Sequence, residues 1–187
     1  MRTRRQNCYL FRWRVTILLA AAVLAGCPRI LYLDYKPSTS AKGTGPVQVA
    51  TFIYAGHPTG LMKQREVETD SGDPEALFLS RDISSFFTVA LKRELAFAGY
   101  EVETNASRRV SGTIEQFFLD YVGVSDQRFY IQVTFTVTRI EGSPFTSTCR
   151  VDRHQARDWM KSGLLIEQGV RACIDEFILS AQAAGAL

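Results

Sequence analysis

Between Phe129 and Thr138, apolar and polar side chains alternate without a break. Phe129, Ile131, Val133, Phe135 and Val137 hold one parity; Tyr130, Gln132, Thr134, Thr136 and Thr138 hold the other. A period of two sends successive side chains to opposite sides of an extended chain, so this segment predicts a strand with one dry face and one wet face. The dry face has to be covered by another layer. Glu141-Gly142-Ser143 supplies a turn, and Phe145 to Val151 returns as the hairpin partner. Upstream, Val110, Gly112 and Ile114 alternate before the apolar parity shifts to Phe117, Leu119 and Tyr121, a one-residue slip that predicts a bulge near Glu115 or Gln116. Val47 to Ile53 reads as a first strand, and Tyr100 to Glu103 as a short one. Between the first strand and the first helix lies a long irregular stretch, Tyr54 to Leu79, broken by Gly56, Pro58, Gly60, Gly72 and Pro74.

Two helices supply the cover. Ser80 is the expected N-cap of the first, in which Ile83, Phe87, Ala90, Leu91, Leu95 and Ala98 recur at helical spacing, with Gly99 as C-cap. Lys92, Arg93 and Glu94 are expected mainly on its opposite, wet face. The second runs from about Gly163 to Ala183 and buries Ile166, Val170, Cys173, Ile174, Phe177, Ile178 and Ala181. The fold class is α+β: an antiparallel or mixed β-sheet with two amphipathic helices packed on one face, in the order β-α-β-β-β-β-α.

The N-terminus follows a different grammar. Met1 to Arg14 carries five arginines and no acidic residue, and an apolar run from Val15 to Ala25 follows. A cationic n-region, a short apolar h-region and small residues before a cut describe a secretory signal covering residues 1–26. The alternative, a membrane-spanning anchor, needs about 20 apolar residues in helical form, and this run is roughly half that. Thr3-Arg4-Arg5 has a faint twin-arginine look, but Asn7 and Cys8 stand where an aromatic residue and a leucine belong. Without the leader's five arginines the formal charge falls from +3 to −2, so the basicity belongs to export and not to nucleic-acid binding.

Leu24, Ala25, Gly26 and Cys27 resemble the bacterial lipobox, in which small residues precede a cysteine acylated before cleavage. That resemblance implies a diacylglycerol thioether and an N-acyl chain such as palmitate on Cys27, and no other cofactor. It places the mature domain in the periplasm on a lipid anchor. Pro28 replaces the Asp that would argue for inner-membrane retention, so the outer membrane is the expected destination.

Residues 27–46 are then the lipidated terminus and a flexible tether, and 47–187 the folded domain. The Pro, Gly and Ser content of Pro28 to Pro46 favours an extended, unpacked chain of roughly 25 Å end to end. Ile30-Leu-Tyr-Leu33 within it fits two arrangements, one on the membrane surface and one docked as a short strand. Of the four cysteines, Cys8 leaves with the leader and Cys27 is acylated. Cys149 and Cys173 are either bonded, as an oxidising compartment permits, or two separate core thiols.

The segments Ser80-Arg-Asp-Ile83, Leu91-Lys-Arg-Glu-Leu95, Gly99-Tyr-Glu-Val102 and Val110-Ser-Gly-Thr-Ile114, followed by a long hairpin and a last amphipathic helix, resemble the YajG-like family of bacterial lipoproteins. The resemblance spans most of the mature chain and implies anchoring and fold more than activity.

Catalytic motifs are missing. The sequence has two histidines and contains no His-Glu-x-x-His, Cys-x-x-Cys, Gly-x-Ser-x-Gly or phosphate-loop pattern. Cys149, His154 and Asp158 supply the residue types of a thiol site, against the plainer reading of a paired cysteine beside a solvated segment. Glu66, Glu68, Asp70, Asp73 and Glu75 form an acidic stretch without the order of a calcium loop. Phe117, Phe118 and Trp159 are candidate contact aromatics, with core filling as the alternative, and the same choice applies to Phe86 beside Phe87. The chain reads as a non-catalytic envelope module that binds or scaffolds a protein partner. Its rival is an accessory lipoprotein of an ABC-type or lipid transport system with an apolar ligand cleft between helix and sheet.

Overall fold

A computed structural model describes residues 29–56, 63–69, 77–122, 125–140, 142–156, 158 and 161–187. In chain order these form β1 (Arg29–Leu31), β2 (Pro46–Val49), β3 (Ile53–Tyr54), a 3-10 turn (Lys63–Arg65), β4 (Glu66–Val67), β5 (Leu77–Leu79), α1 (Ile83–Ala98), β6 (Glu101–Val102), β7 (Arg108–Val122), β8 (Asp126–Arg139), β9 (Phe145–Ala156) and α2 (Ser162–Ala183). The main sheet runs β6-β2-β7-β8-β9, with β3 also paired to β7. It is mixed: β2, β3 and β6 pair in parallel, whereas β7, β8 and β9 form a long antiparallel meander. A smaller sheet, β1-β5-β4, joins it through Glu68, which bridges β7 at Phe118.

The alternation of β8 determines the core. Phe129, Ile131, Val133, Phe135 and Val137 are fully buried, and both helices lie on their side. Phe135 stacks on Phe177 of α2 at 4.1 Å between ring centroids and meets Phe87 of α1 at 5.9 Å and Phe52 at 5.5 Å. The expected parity slip in β7 is present: the register with β8 shifts between Ile114 and Gln116, leaving Glu115 as the extra residue. Its carboxylate turns to the outer face and accepts hydrogen bonds from Gln132 and Thr134.

Two local expectations change. The single strand from Val47 to Ile53 is divided into β2 and β3, because Phe52 turns inward with its amide bonded to the Thr88 hydroxyl at 3.0 Å. Gly112 provides the room: a Cβ there would stand 2.6 Å from the Phe52 ring and 2.3 Å from the Thr134 carbonyl oxygen. The N-cap of α1 is Asp82, not Ser80, since the Asp82 carboxylate accepts from the Ser85 amide at 2.7 Å, the N3 position that capping uses. Gly99 closes the helix at a φ of 104°, as the sequence implies.

The largest difference concerns residues 29–46. Here the expected free coil is a docked strap. From residue 29 to 41 exposure alternates with a period of two: Leu31, Leu33, Tyr35, Thr39 and Ala41 point inward, and Ile30, Tyr32, Asp34, Lys36, Ser38 and Ser40 point outward. Of the two arrangements open to Ile30 to Leu33, residues 29–31 pair in parallel with β5 as a strand. Leu33 then packs on Gly163 in the first turn of α2, and the Lys42 carbonyl accepts from Gln182 in its last. Tyr35 meets the ring of Phe86 in the first turn of α1, and the Gly43 amide bonds to Ala98 in its last. The strap therefore runs alongside both helices, in their direction, as a third layer.

Candidate functional site

A buried carboxylate fixes the strap. Phe86, Ala90 and Glu94 form an i, i+4 row on α1, beside the stripe that faces the sheet. All three are buried, and the strap covers Phe86 through the Tyr35 ring and Glu94 through Tyr35, Ser38 and Thr39. One Glu94 oxygen accepts from the Tyr35 hydroxyl at 2.7 Å; the other accepts from the Ser38 amide at 3.0 Å and the Thr39 amide at 2.9 Å. Glu94 was expected on a wet face. It is instead the anchor of the third layer, and helical spacing alone could not anticipate that layer.

Cations complete the latch. Arg93 donates to the Tyr35 carbonyl at 2.6 Å, and Arg171 of α2 donates to the Lys36 carbonyl at 2.7 Å. The Arg171 guanidinium lies 5.6 Å from the centre of the Tyr35 ring and 3.9 Å from Glu94. Burial, followed by the adjacent Glu94 carboxylate, drives the Tyr35 phenol well above its ordinary range, so it remains a donor. Burial also raises the Asp175 carboxyl, opposed by a hydrogen bond from Thr39, and one of its oxygens has no partner among the described residues.

At its N-terminal end the strap opens a cleft of about 420 Å³ against the first turns of α2. Tyr32 and Leu164 form its apolar wall; Asp34, Glu167, Lys36 and Arg171 line the remainder. Burial raises the Glu167 carboxyl despite a hydrogen bond from the Asp34 backbone. Tyr32 is 81% exposed and Leu164 47%.

The candidate residues from the sequence are dispersed. Cys149 and Cys173 are joined by a disulfide with Cα atoms 5.5 Å apart, which ties β9 to α2 beneath the sheet. Cys149 is thus no free nucleophile. His154 lies on the outer face of β9, paired with Asp152, which also holds Arg128 at 2.6 Å. The Asp158 carboxylate pairs with Lys161 at 3.0 Å. Phe117 is not a contact aromatic: it is fully buried, 5.1 Å from Phe129, since the bulge at Glu115 returns it to the inner face. Phe118 points the other way and is half-buried, and Phe86 and Phe87 are both buried. Trp159, the lipobox residues and Cys27 lie outside the described residues, as do Asp70, Asp73 and Glu75. Glu68 holds Tyr54 and the Phe117 amide. Among the described residues no three His, Cys, Asp or Glu side chains surround a common point for a metal.

The sequence did carry a signal for the strap. Leu31, Leu33, Tyr35, Thr39 and Ala41 share one parity, but Pro37, Gly43 and the serines between them give the segment the composition of a linker.

No family model matches the chain, and no curated protein matches it. Solved structures do. A protein of the DUF330 family from Xanthomonas campestris is 12% identical, with a TM-score of 0.66 over 83% of this chain and 96% of its own. An uncharacterised protein, also 12% identical, superposes with a TM-score of 0.55 over 81% and 99%. Rare lipoprotein B from Shewanella oneidensis, 10% identical over 74% and 96%, gives a TM-score of 0.42, too loose a likeness to bear on function. At these identities the first two show a shared fold.

Proposed function

We propose that this chain is a lipid-anchored lipoprotein of the bacterial cell envelope, of the YajG-like kind, whose periplasmic domain binds or scaffolds an envelope protein and performs no catalysis. The observation that carries this reading is the position of Leu24-Ala-Gly-Cys27 immediately ahead of a strand docked on the fold. Acylation at Cys27 fixes the domain to a bilayer, with the outer membrane the expected one, and two or three acyl chains hold where one does not. The dispersal of Cys149, His154 and Asp158 supports a role without chemistry. The rival reading, a transport accessory holding a hydrophobic ligand between helix and sheet, has no observation in its favour: Phe52, Phe87, Phe135 and Phe177 fill that interface.

Metabolic labelling with a palmitate analogue tests the proposal. The wild-type chain is expected to take the label and sediment with membranes, and Cys27→Ser to do neither. A Cys27→Ser chain still trimmed at the same bond and retained by membranes overturns it.

A further inference from the structure

We infer that the end of the domain bearing Ile30, Tyr32 and Leu164 rests on the bilayer that holds the Cys27 acyl chains. This deepens the proposed function and rests on the acylation of Cys27.

Covalent reach carries the inference. Only Pro28 separates Cys27 from Arg29, the first residue of β1. An extended chain spans at most about 3.6 Å per residue, so the Cα of Cys27 lies within about 7 Å of that of Arg29. With the strap latched from Tyr35 to Gly43, no slack is left for the domain to move away from the membrane.

The surface at that end has the chemistry of an interface. The outward parity of β1 and the strap presents Ile30, 42% exposed, and Tyr32, and Leu164 lines the same cleft as Tyr32. An aromatic ring with a polar tip suits the headgroup region, and branched aliphatic side chains suit the boundary below it. The cleft holds charges of both signs, Asp34 and Glu167 against Lys36 and Arg171, so an anionic leaflet meets no net repulsion. Ile140, 84% exposed, lies away from the anchor. Ile140 is at the tip of the β8–β9 hairpin, whose Arg139 donates to Gly185 beyond the far end of α2. The 22 residues of α2 separate the two ends by about 33 Å.

The experiment uses full-length acylated protein extracted from membranes and reconstituted in phosphatidylethanolamine–phosphatidylglycerol vesicles containing lipid brominated near the headgroup end of its chains. Tyr32→Trp, Leu164→Trp and Ile140→Trp are compared in a Trp159→Phe background. Tryptophan at 32 and 164 is expected to lose about half its emission to the brominated lipid, and tryptophan at 140 to keep nearly all of it. Vesicle-bound protein with unquenched tryptophan at 32 and 164, or equal quenching at all three positions, overturns the inferred orientation and leaves the anchor standing. Protein without acyl mass on Cys27 that does not float with the vesicles overturns the anchor and the orientation together.

Discussion

The hydroxyl of Tyr35 donates to the carboxylate of Glu94 at 2.7 Å, across 59 residues of sequence and out of contact with water. That one bond, with the two strap amides that share the carboxylate, converts a linker-like segment into part of the fold.

Glu94→Ala leaves the amides of Ser38 and Thr39 and the Tyr35 hydroxyl without their acceptor. Breaking a buried ionic group's contacts costs about 3 kcal/mol. The strap is expected to peel off while the sheet and helices stay folded, seen as protease cleavage between Tyr35 and Gly43 and a lower denaturant midpoint. Glu94→Gln is expected to give a smaller loss, because its amide oxygen still accepts from one side while only its amide nitrogen faces donors. A strap that stays protected in Glu94→Ala would show that the apolar contacts of Leu33 and Tyr35 suffice.

Replacing both Cys149 and Cys173 by Ser opens a loop with a sequence separation of 24. Chain-entropy arithmetic puts the loss at about 3.5 kcal/mol for a loop of this size. Thermal melting of the double variant against the oxidised parent measures it, and an unchanged midpoint would mean the bond adds nothing to packing already in place.

Gly112→Ala places a methyl against the Thr134 carbonyl and the Phe52 ring. Overpacking of this kind costs about 1–3 kcal/mol or more, and the backbone partner here cannot rotate away. Pairing it with Phe52→Leu is expected to recover part of the loss but not all, because the carbonyl contact remains. Full recovery in a chemical-denaturation series would place the whole conflict at the ring.

Asp175 has a carboxyl raised by burial. A folded-state pKa above the unfolded value gives stability that is complete below the unfolded pKa, near 3.9, and is lost as pH rises through the folded one. Asp175→Asn is therefore expected to be more stable than wild type at neutral pH, by under about 1 kcal/mol given the group's partial exposure, with the difference closing as pH falls toward 4. Unfolding curves at pH 4 and pH 7 decide it; a gap that widens on acidification reverses the sign and refutes the assignment.

The sequence disclosed the elements whose pattern is long or punctuated. The strict parity of β8, the stripe of α2, the slip at Glu115 and the glycine cap at Gly99 all follow from periods of two and 3.6 or from one special φ. What escaped depends on contacts distant in sequence. Glu94 is three residues beyond Leu91 and adjacent to Leu95, so its position flanks the apolar stripe; only the strap decides which way that flank faces. Phe117 and Phe118 differ by one parity step, and the bulge determines which is inside. The pairing of Cys149 with Cys173 required knowing that β9 lies under α2.

The direction of the strap has a mechanical consequence. Because it lies lengthwise along α1 and α2, with Glu94, Arg93 and Arg171 gripping it in succession, tension applied at Cys27 would load these contacts together in shear and would not unzip them singly. Drag on the domain, were Cys27 acylated as proposed, would be shared among all three grips before any one let go.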